Sequence, residues 1–208
     1  MKFFLQTLFA IGTLVFGFFI GVRYQARVES LNEVQTLVQV QKSKIENLRE
    51  DNQRLRTVVL LREFLDRESI RLPQGTVNDI ASSIHEASER YSLPPEMILA
   101  VIRIESAFDI NALSDKGAVG LMQILPSTGQ EIARDLRIEW RGSDLLRDPQ
   151  ANIEMGAYYL TKLIGQFNDL ATALAAYNHG PGRISELSEA KADLPMEYSE
   201  KVLSHYTP

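Results

Sequence analysis

The hydrophobic positions of this chain change their spacing twice along its length. Residues 3–22 are almost continuously apolar, whereas residues 28–65 repeat apolar positions with a seven-residue period. From residue 76 onward, apolar side chains recur every three or four positions in separate segments. All three patterns are typical of helices, so the sequence predicts a mainly α protein. The predicted parts are residues 1–23, residues 24–72 and residues 73–208.

The apolar run at residues 3–22 has the length of a transmembrane helix. About 20 residues rise about 30 Å as a helix, which matches the hydrocarbon core of a bilayer. A cleaved signal peptide is the alternative, but its apolar region is only about 7–15 residues long, and no small-residue cleavage site follows Val22. The sequence favours an uncleaved, single-pass anchor. Lys2 and the amino terminus before the run are nearly balanced by Arg23 and Arg27 after it, so charge leaves the orientation open.

The heptad pattern at residues 28–65 predicts a coiled-coil stalk. The segment has neither Gly nor Pro, and seven of its ten core heptad positions are apolar. A single Asn at a core position fixes register in parallel dimers, and Gly17 with Gly21 forms a GxxxG pattern that suits two adjacent spans. We expect a parallel homodimer; a lone polar helix, or one folded back on the globular part, is the alternative. The a positions are Leu31, Val38, Ile45, Asn52 and Val59, and the d positions are Val34, Gln41, Leu48, Leu55 and Arg62.

Residues 73–208 carry the start and stop signals of a helical domain. The stretch Arg71–Gly75 interrupts the stalk pattern, and Thr76 with Asp79 predicts a capping box for the first helix. No convincing alternating strand or Asn-Gly hairpin is found. The core face of the first helix is predicted to be Val77, Ile80, Ile84, Ala87 and Tyr91. Further helices are predicted at 94–105, 127–137, 149–167, 169–178 and 195–206, with Ser127 and Gln130, Asp148, and Asp169 at the starts of the middle three.

Composition limits the classes of function. The chain has no cysteine, which excludes disulfides, thiol catalysis and cysteine metal ligands. Its three histidines show no metal-ligand spacing, and we predict neither a metal nor a cofactor. Residues 76–208 hold 11 basic and 19 acidic side chains. An acidic globular part argues against nucleic acid as a partner.

Glu105 stands out because it ends an apolar helical stripe. Met97, Ile98, Val101 and Ile102 recur at helical spacing, and Glu105 continues their row. A carboxyl group among apolar neighbours loses hydration, so its pKa is expected to rise. A carboxylic acid that is protonated near neutral pH is suited to general acid catalysis. The alternative is a glutamate at a helix end that points to water.

Three motifs occur in a fixed order around and after this glutamate. They are Glu-Ser-Ala-Phe at 105–108, Gly-Leu-Met-Gln at 120–123 and Ala-Tyr-Asn at 176–178, the last followed by Gly-Pro-Gly-Arg at 180–183. Together they resemble the catalytic domain of the soluble lytic transglycosylases, which shares a lysozyme-like fold with goose-type lysozyme. The resemblance covers residues 76–206. It implies cleavage of the MurNAc–GlcNAc β-1,4 bond of peptidoglycan with formation of a 1,6-anhydro-muramyl end.

The resemblance assigns roles to individual residues. Glu105 matches the single catalytic acid and base, and Tyr198 matches a tyrosine whose hydroxyl faces it. The stretch Leu194–Glu197 departs from the Glu-Thr-Arg that the family often has there, which puts Tyr198 in doubt. The remaining matched residues are Ser114, Met122, Gln123, Tyr177 and Asn178, all expected to bind the glycan. Met122 and Tyr177 are also readable as core residues, and Gln123 as a loop amide.

The implied chemistry needs only one carboxylate from the protein. Asp109 and Asp115 lie in a loop rich in turn residues and are interpreted as loop-capping or solvated groups. A one-carboxylate route works if the MurNAc acetamido oxygen stabilises the anomeric carbon, as in substrate-assisted glycosidases. His179 is interpreted as a surface residue. Trp140 is interpreted as half-buried, although it is also able to stack on a sugar.

The sequence as a whole predicts an enzyme of the cell envelope. We expect an inner-membrane protein anchored through residues 3–22, with its catalytic domain in the periplasm beside the peptidoglycan strands. The substrate, and not the charge count, sets this orientation. A hydrolytic muramidase or chitinase on the same fold is one alternative. A non-catalytic glycan-binding scaffold of the envelope is another.

Overall fold

The computed structural model describes the backbone of residues 2–206, and the side chains of these residues apart from 2–11 and 26. This part of the chain is helical, and its β pairing consists of two isolated bridges, Leu113 with Val119 and Val119 with Ile124. The mainly α prediction is confirmed. The helices are α1 (Lys2–Arg67), α2 (Gln74–Tyr91), α3 (Pro95–Ser106), α4 (Pro126–Leu136), a 3-10 helix (Ser143–Arg147), α5 (Pro149–Phe167), α6 (Leu170–His179), α7 (Pro181–Glu189) and α8 (Glu197–His205).

The chain divides into two units, Met1–Asn52 and Gln53–Pro208. The second unit therefore begins at Gln53, within α1, whereas the sequence predicts a catalytic domain from residue 73. The reason lies in the last turns of α1, where Leu61, Phe64 and Leu65 are buried in the core of the second unit. These three residues fall outside the a and d positions of the heptad, so a count of heptad positions does not detect them.

The first unit consists of the helical residues before Gln53. Among the residues that the structure describes, no helix combines the length and the apolar character that a membrane crossing requires. The predicted anchor at residues 3–22 is thus not confirmed, and the side chains of its residues 3–11 lie outside the described residues. The apolar heptad positions are exposed on the single chain, for example Leu31 at 56% and Ile45 at 50%. The homodimer stays a prediction.

The second unit is built around α3. Six consecutive residues, Met97–Ile102, are buried, so this helix is apolar on all sides at its centre. α2 and α8 pack against α3, while α5 packs against α2 and α6. The predicted core face of α2 is confirmed, with Val77, Ile80, Ile84 and Ala87 buried and Tyr91 half-buried. The central position of α3 fixes the place of Glu105 near its end.

Two of the predicted helix starts are confirmed, and in both the predicted aspartate caps the helix. The Asp148 side chain accepts a hydrogen bond from the Ala151 N–H at 2.8 Å, and the Asp169 side chain accepts one from the Thr172 N–H at 2.7 Å. Each carboxylate satisfies a free N–H group of the first helical turn. α5 and α6 therefore begin where the sequence predicts.

Two predicted caps are wrong because prolines start those helices earlier. α2 begins at Gln74 directly after Pro73, and α4 begins at Pro126, so neither Thr76 nor Ser127 occupies a cap position. Proline favours the first turn of a helix because its φ is fixed near the helical value and it has no N–H to satisfy. No side-chain cap is formed at either start.

Three further differences lie in the second half of the unit. The sequence pattern predicts neither the 3-10 helix Ser143–Arg147 nor α7. The Gly-Pro-Gly stretch at 180–182 is typical of a helix end, but Gly180 turns the chain at φ 88° and Pro181 starts a new helix. The last helix starts at Glu197, two residues later than predicted from Pro195.

Candidate active site

A cleft of about 570 Å³ opens beside the end of α3. Its walls come from the loop between α3 and α4, the first turn of α4, the middle of α5, and the turn between α6 and α7. Five residues predicted for the site line this cleft together: Glu105, Ser114, Gln123, Tyr177 and Asn178. Met122 and Tyr198 lie behind its surface. The fold thus brings together segments that are more than 60 residues apart in sequence.

Among the described carboxyl groups, Glu105 has the pKa that burial raises most. It is half-buried at the end of α3, with its side chain facing the cleft lining. Burial raises the pKa of Glu105 from 4.5 to about 7, and the hydrogen bond from Tyr198 acts in the opposite direction. The expectation of a raised pKa is confirmed. A carboxyl group of this pKa is populated in both protonation states near neutral pH.

Tyr198 contacts Glu105 directly from the neighbouring helix. Its side chain is 7% exposed in α8, and its hydroxyl donates a hydrogen bond to Glu105 Oε1 at 2.5 Å. Burial, with a smaller contribution from the charge of Glu105, raises the pKa of the Tyr198 phenol well above its ordinary value. The phenol therefore keeps its proton and remains a donor to the carboxylate. The hydrogen bond also fixes the orientation of the carboxyl group.

The chain turns sharply after Glu105. Ala107 and Phe108 both adopt left-handed backbone angles, with φ of 49° and 67°, although neither is glycine. This conformation costs about 1–2 kcal/mol for each such residue, so packing has to hold it in place. The Ala107 N–H donates to the Arg103 carbonyl at 3.2 Å, and Phe108 is only 1% exposed. The turn ends α3 at Ser106 and leaves the Glu105 side chain beside the cleft.

The loop between α3 and α4 is tied to α5 by Asn152. The buried amide of Asn152 donates to the carbonyls of Val119 at 2.9 Å and Leu146 at 2.8 Å, and accepts from the Met122 N–H at 2.7 Å. Buried amides of this kind are costly to leave without partners. Gly120 sits against the same group, at φ 82°, where a Cβ atom would lie 2.2 Å from the Leu146 carbonyl oxygen. The loop is therefore held in one conformation.

Met122 supports the cleft wall through its backbone carbonyl and through the packing of its side chain. Its side chain is fully buried and presses against α5, where a Cβ on Gly156 would lie 2.4 Å from the Met122 sulfur. Its carbonyl accepts a hydrogen bond from the Tyr177 hydroxyl at 2.8 Å. The structure thus places Met122 behind the cleft wall, where the sequence analysis expected a residue in contact with glycan.

Gln123 lies on the cleft surface in a constrained backbone conformation, with φ 48°. Its side-chain nitrogen donates to the carbonyls of Gly120 at 2.9 Å and Ala112 at 3.1 Å. This leaves the amide oxygen as the group available to a ligand. Ser114 lines the same wall, and its hydroxyl accepts from the Ala118 N–H at 2.9 Å. Both residues therefore shape the loop as well as the cleft.

The cleft lining also contains two tyrosines. The rings of Tyr159 and Tyr177 are 5.5 Å apart between centroids, and both residues line the cleft. Burial raises the pKa of the Tyr177 phenol well above its ordinary value, and the charge of Glu105 adds to this. Asn178 follows on the exposed rim. Tyr159 was missed by the sequence analysis because no motif surrounds it; its place next to Tyr177 depends on the packing of α5 on α6.

Three further polar residues contribute to the cleft lining: His179, Lys116 and Asp115. His179 lines the cleft and is half-buried. Lys116 and Asp115 also line the cleft and are exposed. Asp109 accepts a hydrogen bond from the Asn111 N–H at 2.9 Å, which is a loop turn as expected. Trp140 is half-buried against Gly129, also as expected.

A helical unit that holds a desolvated carboxyl group beside an open cleft has the features of a site for general acid and base catalysis. The family described as Transglycosylase SLT domain matches residues 82–198. The chain belongs to this family.

Curated relatives are similar over part of their length. The putative soluble lytic murein transglycosylase of Haemophilus influenzae is 33% identical over 64% of this chain and 22% of its own length. The soluble lytic murein transglycosylase of Salmonella typhimurium is 42% identical over 41% of this chain and 14% of its own. An endo-type membrane-bound lytic murein transglycosylase A of Klebsiella pneumoniae is 43% identical over 38% of this chain and 39% of its own. The chain thus spans well under half the length of these relatives.

Solved structures show the same fold. The lytic transglycosylase Slt of Pseudomonas aeruginosa, solved as an inactive glutamate-to-glutamine mutant, is 32% identical with a TM-score of 0.55 over 60% of this chain and 23% of its own. The 70 kDa soluble lytic transglycosylase of Escherichia coli is 30% identical with a TM-score of 0.51 over 58% of this chain and 23% of its own. A complex of the 70 kDa enzyme with bulgecin A gives a TM-score of 0.54 at 27% identity, over 60% of this chain and 23% of its own.

Proposed function

We propose that this protein is a lytic transglycosylase that cleaves the MurNAc–GlcNAc β-1,4 bond of peptidoglycan and leaves a 1,6-anhydro-muramyl end. The observation that carries the proposal is the carboxyl group of Glu105, which is desolvated at the cleft, has a pKa of about 7 and is bonded to Tyr198. Membership of the SLT family and the names of the relatives support the substrate class.

In the first step, Glu105 acts as a general acid. Its carboxyl proton passes to the glycosidic oxygen, the bond from that oxygen to C1 of MurNAc breaks, and GlcNAc leaves with a hydroxyl group. The acetamido oxygen of MurNAc stabilises the positive charge that develops at C1. A pKa of about 7 supports this role, because a large share of the carboxyl groups carries the proton near neutral pH.

In the second step, Glu105 acts as a general base. Its carboxylate takes the proton of the sugar's own 6-hydroxyl, whose oxygen then bonds to C1 and displaces the acetamido group. This returns Glu105 to its protonated form, and no water is consumed. An intramolecular nucleophile has a large entropic advantage over water. The Tyr198 hydroxyl stabilises the carboxylate between the two steps.

We propose that the other predicted residues bind the glycan or support the wall of the cleft. Ser114, Gln123 and Asn178 offer polar groups on the cleft surface, and Tyr177 offers part of an aromatic wall. Such a mixture of a few polar groups on an apolar wall is typical of ligand sites. Met122 is proposed to act indirectly, by holding the Tyr177 hydroxyl.

We also propose that residues 3–22 anchor the protein in the inner membrane, with the catalytic unit in the periplasm. The support is the apolar run in the sequence and the high exposure of its described side chains, among them Phe16 at 68% and Phe18 at 69%. Exposed apolar runs of this kind are costly in water. The parallel homodimer through the heptads of residues 28–65 is proposed on the same ground.

A hydrolytic muramidase is the second candidate. The observation that favours it is Asp115, a second carboxylate on the lining of the same cleft. Inverting glycosidases use such a group to activate water. The exposure of Asp115 argues against it, because a solvated loop carboxylate is not held towards the substrate.

The proposal is tested with the full chain in detergent, incubated with purified peptidoglycan. We expect Glu105→Gln to lower the rate of fragment release by about 10²–10⁴-fold, since it removes the proposed acid and base. Asp115→Asn is the matched control, being the same chemical change at another residue of the cleft lining, and is expected to keep the wild-type rate within about twofold. A Glu105→Gln variant that digests the wall at the wild-type rate would exclude the proposal.

A further inference from the structure

The end of α1 packs against the helix that carries Glu105. Leu61, Phe64 and Leu65 belong to the same buried cluster as Ile98 and Ile102 of α3. These three α1 residues precede the region that matches the SLT family. The family match therefore does not include the α1 residues that contribute to this core.

Two contacts join this segment to residues on either side of Glu105. Glu68, directly after α1, accepts a hydrogen bond from Arg103 Nε to its Oε2 at 2.8 Å. Arg103 lies two residues before Glu105. The ring of Phe64 lies 5.7 Å from that of Phe108, between centroids, and Phe108 follows Glu105 by three residues. The segment thus contacts the last turn of α3 before the carboxyl group and the turn of the chain after it.

The contact between Glu68 and Arg103 is a well-held ion pair. The side chains are 17% and 31% exposed, so neither is freely solvated. The hydrogen bond from Arg103 lowers the pKa of Glu68, which keeps that carboxylate charged. Arg103 also supplies the carbonyl that closes α3 onto the Ala107 N–H. Arg103 thus links Glu68 to the turn that follows Glu105.

We propose that the end of α1 positions the catalytic carboxyl group. The Glu68–Arg103 ion pair and the Phe64–Phe108 contact hold the last turn of α3, so that Glu105 stays against Tyr198 and away from water. The inference rests on the proposed role of Glu105. Neither Glu68 nor Phe64 lines the cleft, so both are positioning residues and not catalytic ones.

Loosening this contact has a specific physical consequence. Tyr159, His179, Asp115 and Lys116 line the same cleft as Glu105. The groups that interact with the Glu105 carboxyl itself are the phenols of Tyr198 on α8 and Tyr177 on α6, and both have a raised pKa. They stay neutral, so burial is the main influence on the Glu105 carboxyl. Access of water to a loosened turn lowers the pKa of Glu105 towards its ordinary value.

The experiment compares Glu68→Gln with Asp66→Asn in the full chain. Asp66 is an exposed acidic residue of the same turn, which makes its change a matched control. The pKa of Glu105 is read by ¹³C NMR of glutamate-labelled protein, with the signal assigned by its absence in Glu105→Gln. Rates are measured on soluble glycan strands, and thermal unfolding confirms that each variant is folded. A charge exchange, Glu68→Arg with Arg103→Glu, tests for rescue.

We expect Glu68→Gln to lower the pKa of Glu105 by about half a unit or more and kcat by about tenfold, with KM within about twofold. The charge exchange should restore both values, and Asp66→Asn should change neither. An unchanged pKa of Glu105 in Glu68→Gln, or an equal effect of Asp66→Asn, would overturn the inference. A wild-type chain without lytic activity would instead refute the proposed function, while the NMR pKa values still decide the positioning.

Discussion

Glu105 and Tyr198 show how far a single side chain can be understood from its neighbours in sequence. The raised pKa of Glu105 follows from the apolar row that precedes it on the same helix, so local spacing is sufficient to predict it. Its partner Tyr198 lies 93 residues away. No local pattern pairs the two residues, and only the resemblance to a family suggested it. The structure adds the 2.5 Å contact that spacing does not predict.

Removal of the Tyr198 hydroxyl should shift the ionisation of Glu105. The hydrogen bond stabilises the charged carboxylate and so lowers the pKa of Glu105. Tyr198→Phe is expected to raise that pKa further, by about one unit, and to move the optimum of activity to higher pH. Tyr206→Phe, at the end of the same helix, serves as the control. A pH–rate profile of Tyr198→Phe that coincides with the wild-type profile would contradict this assignment.

The burial of Glu105 should also be visible in stability. Its folded pKa of about 7 lies above the ordinary 4.5, so the stability contributed by its protonated form is present below pH 4.5 and lost as pH rises through 7. Glu105→Gln mimics the protonated form at every pH. Its unfolding free energy relative to wild type should therefore increase by about 3 kcal/mol between pH 4.5 and pH 8. Denaturant titrations at several pH values would show this, and a difference that is independent of pH would contradict the burial of the carboxyl group.

At the scale of helices and loops, the sequence predicts that a helix is present better than it predicts the residue at which the helix begins. The carboxylate caps of Asp148 and Asp169 are local interactions, and both are found. The start of α2 is set by Pro73, which competes with the capping box at Thr76. The heptad pattern does not predict that the end of α1 is buried, because Leu61 and Phe64 lie outside its a and d positions. A local sequence pattern also does not predict the packing of α5 on α6, which places Tyr159 in the cleft.

Glycine substitutions in α5 test the packing that supports the cleft wall. A Cβ on Gly156 would lie 2.4 Å from the Met122 sulfur, whereas one on Gly165 would have no heavy atom within 4 Å. Gly156→Ala is expected to destabilise the protein by about 1–3 kcal/mol because the core is overpacked. It should also lower activity, because Met122 holds Tyr177.

Gly165→Ala is the matched control in the same helix. It is expected to stabilise the protein by about 0.5–1 kcal/mol, since alanine restricts the unfolded chain and favours helix. Thermal or denaturant unfolding of both variants provides the measurement. Equal stability of the two variants would show that α5 does not press against Met122.

At the scale of the whole molecule, the chain combines an acidic helical unit with a long helix that exposes apolar residues. The sequence predicts both parts from composition and periodicity. It does not predict that the second unit begins at Gln53, because that depends on which face of α1 finds a partner. The apolar heptad positions that remain exposed on the single chain are the basis for the proposed dimer.

The chain has no cysteine, so single cysteines give an unambiguous test of the dimer. Ile45 is a predicted a position, and Ser43 lies on the opposite side of the heptad. Ile45→Cys is expected to form a disulfide-linked dimer on mild oxidation of the full chain in detergent, because a positions of parallel pairs face each other. Ser43→Cys should stay largely monomeric on a non-reducing gel. Equal crosslinking of both variants, or none at Ile45, would rule out the predicted register.

The central claim is that one carboxyl group suffices because the sugar supplies the attacking oxygen. Digestion of peptidoglycan by the wild-type chain in ¹⁸O-labelled water, followed by mass analysis of the fragments, tests it most directly. The account predicts muramyl ends that carry no heavy oxygen and are lighter than a reducing end by one water. Muramyl ends that carry one heavy oxygen would show that water attacks C1, and would contradict the account.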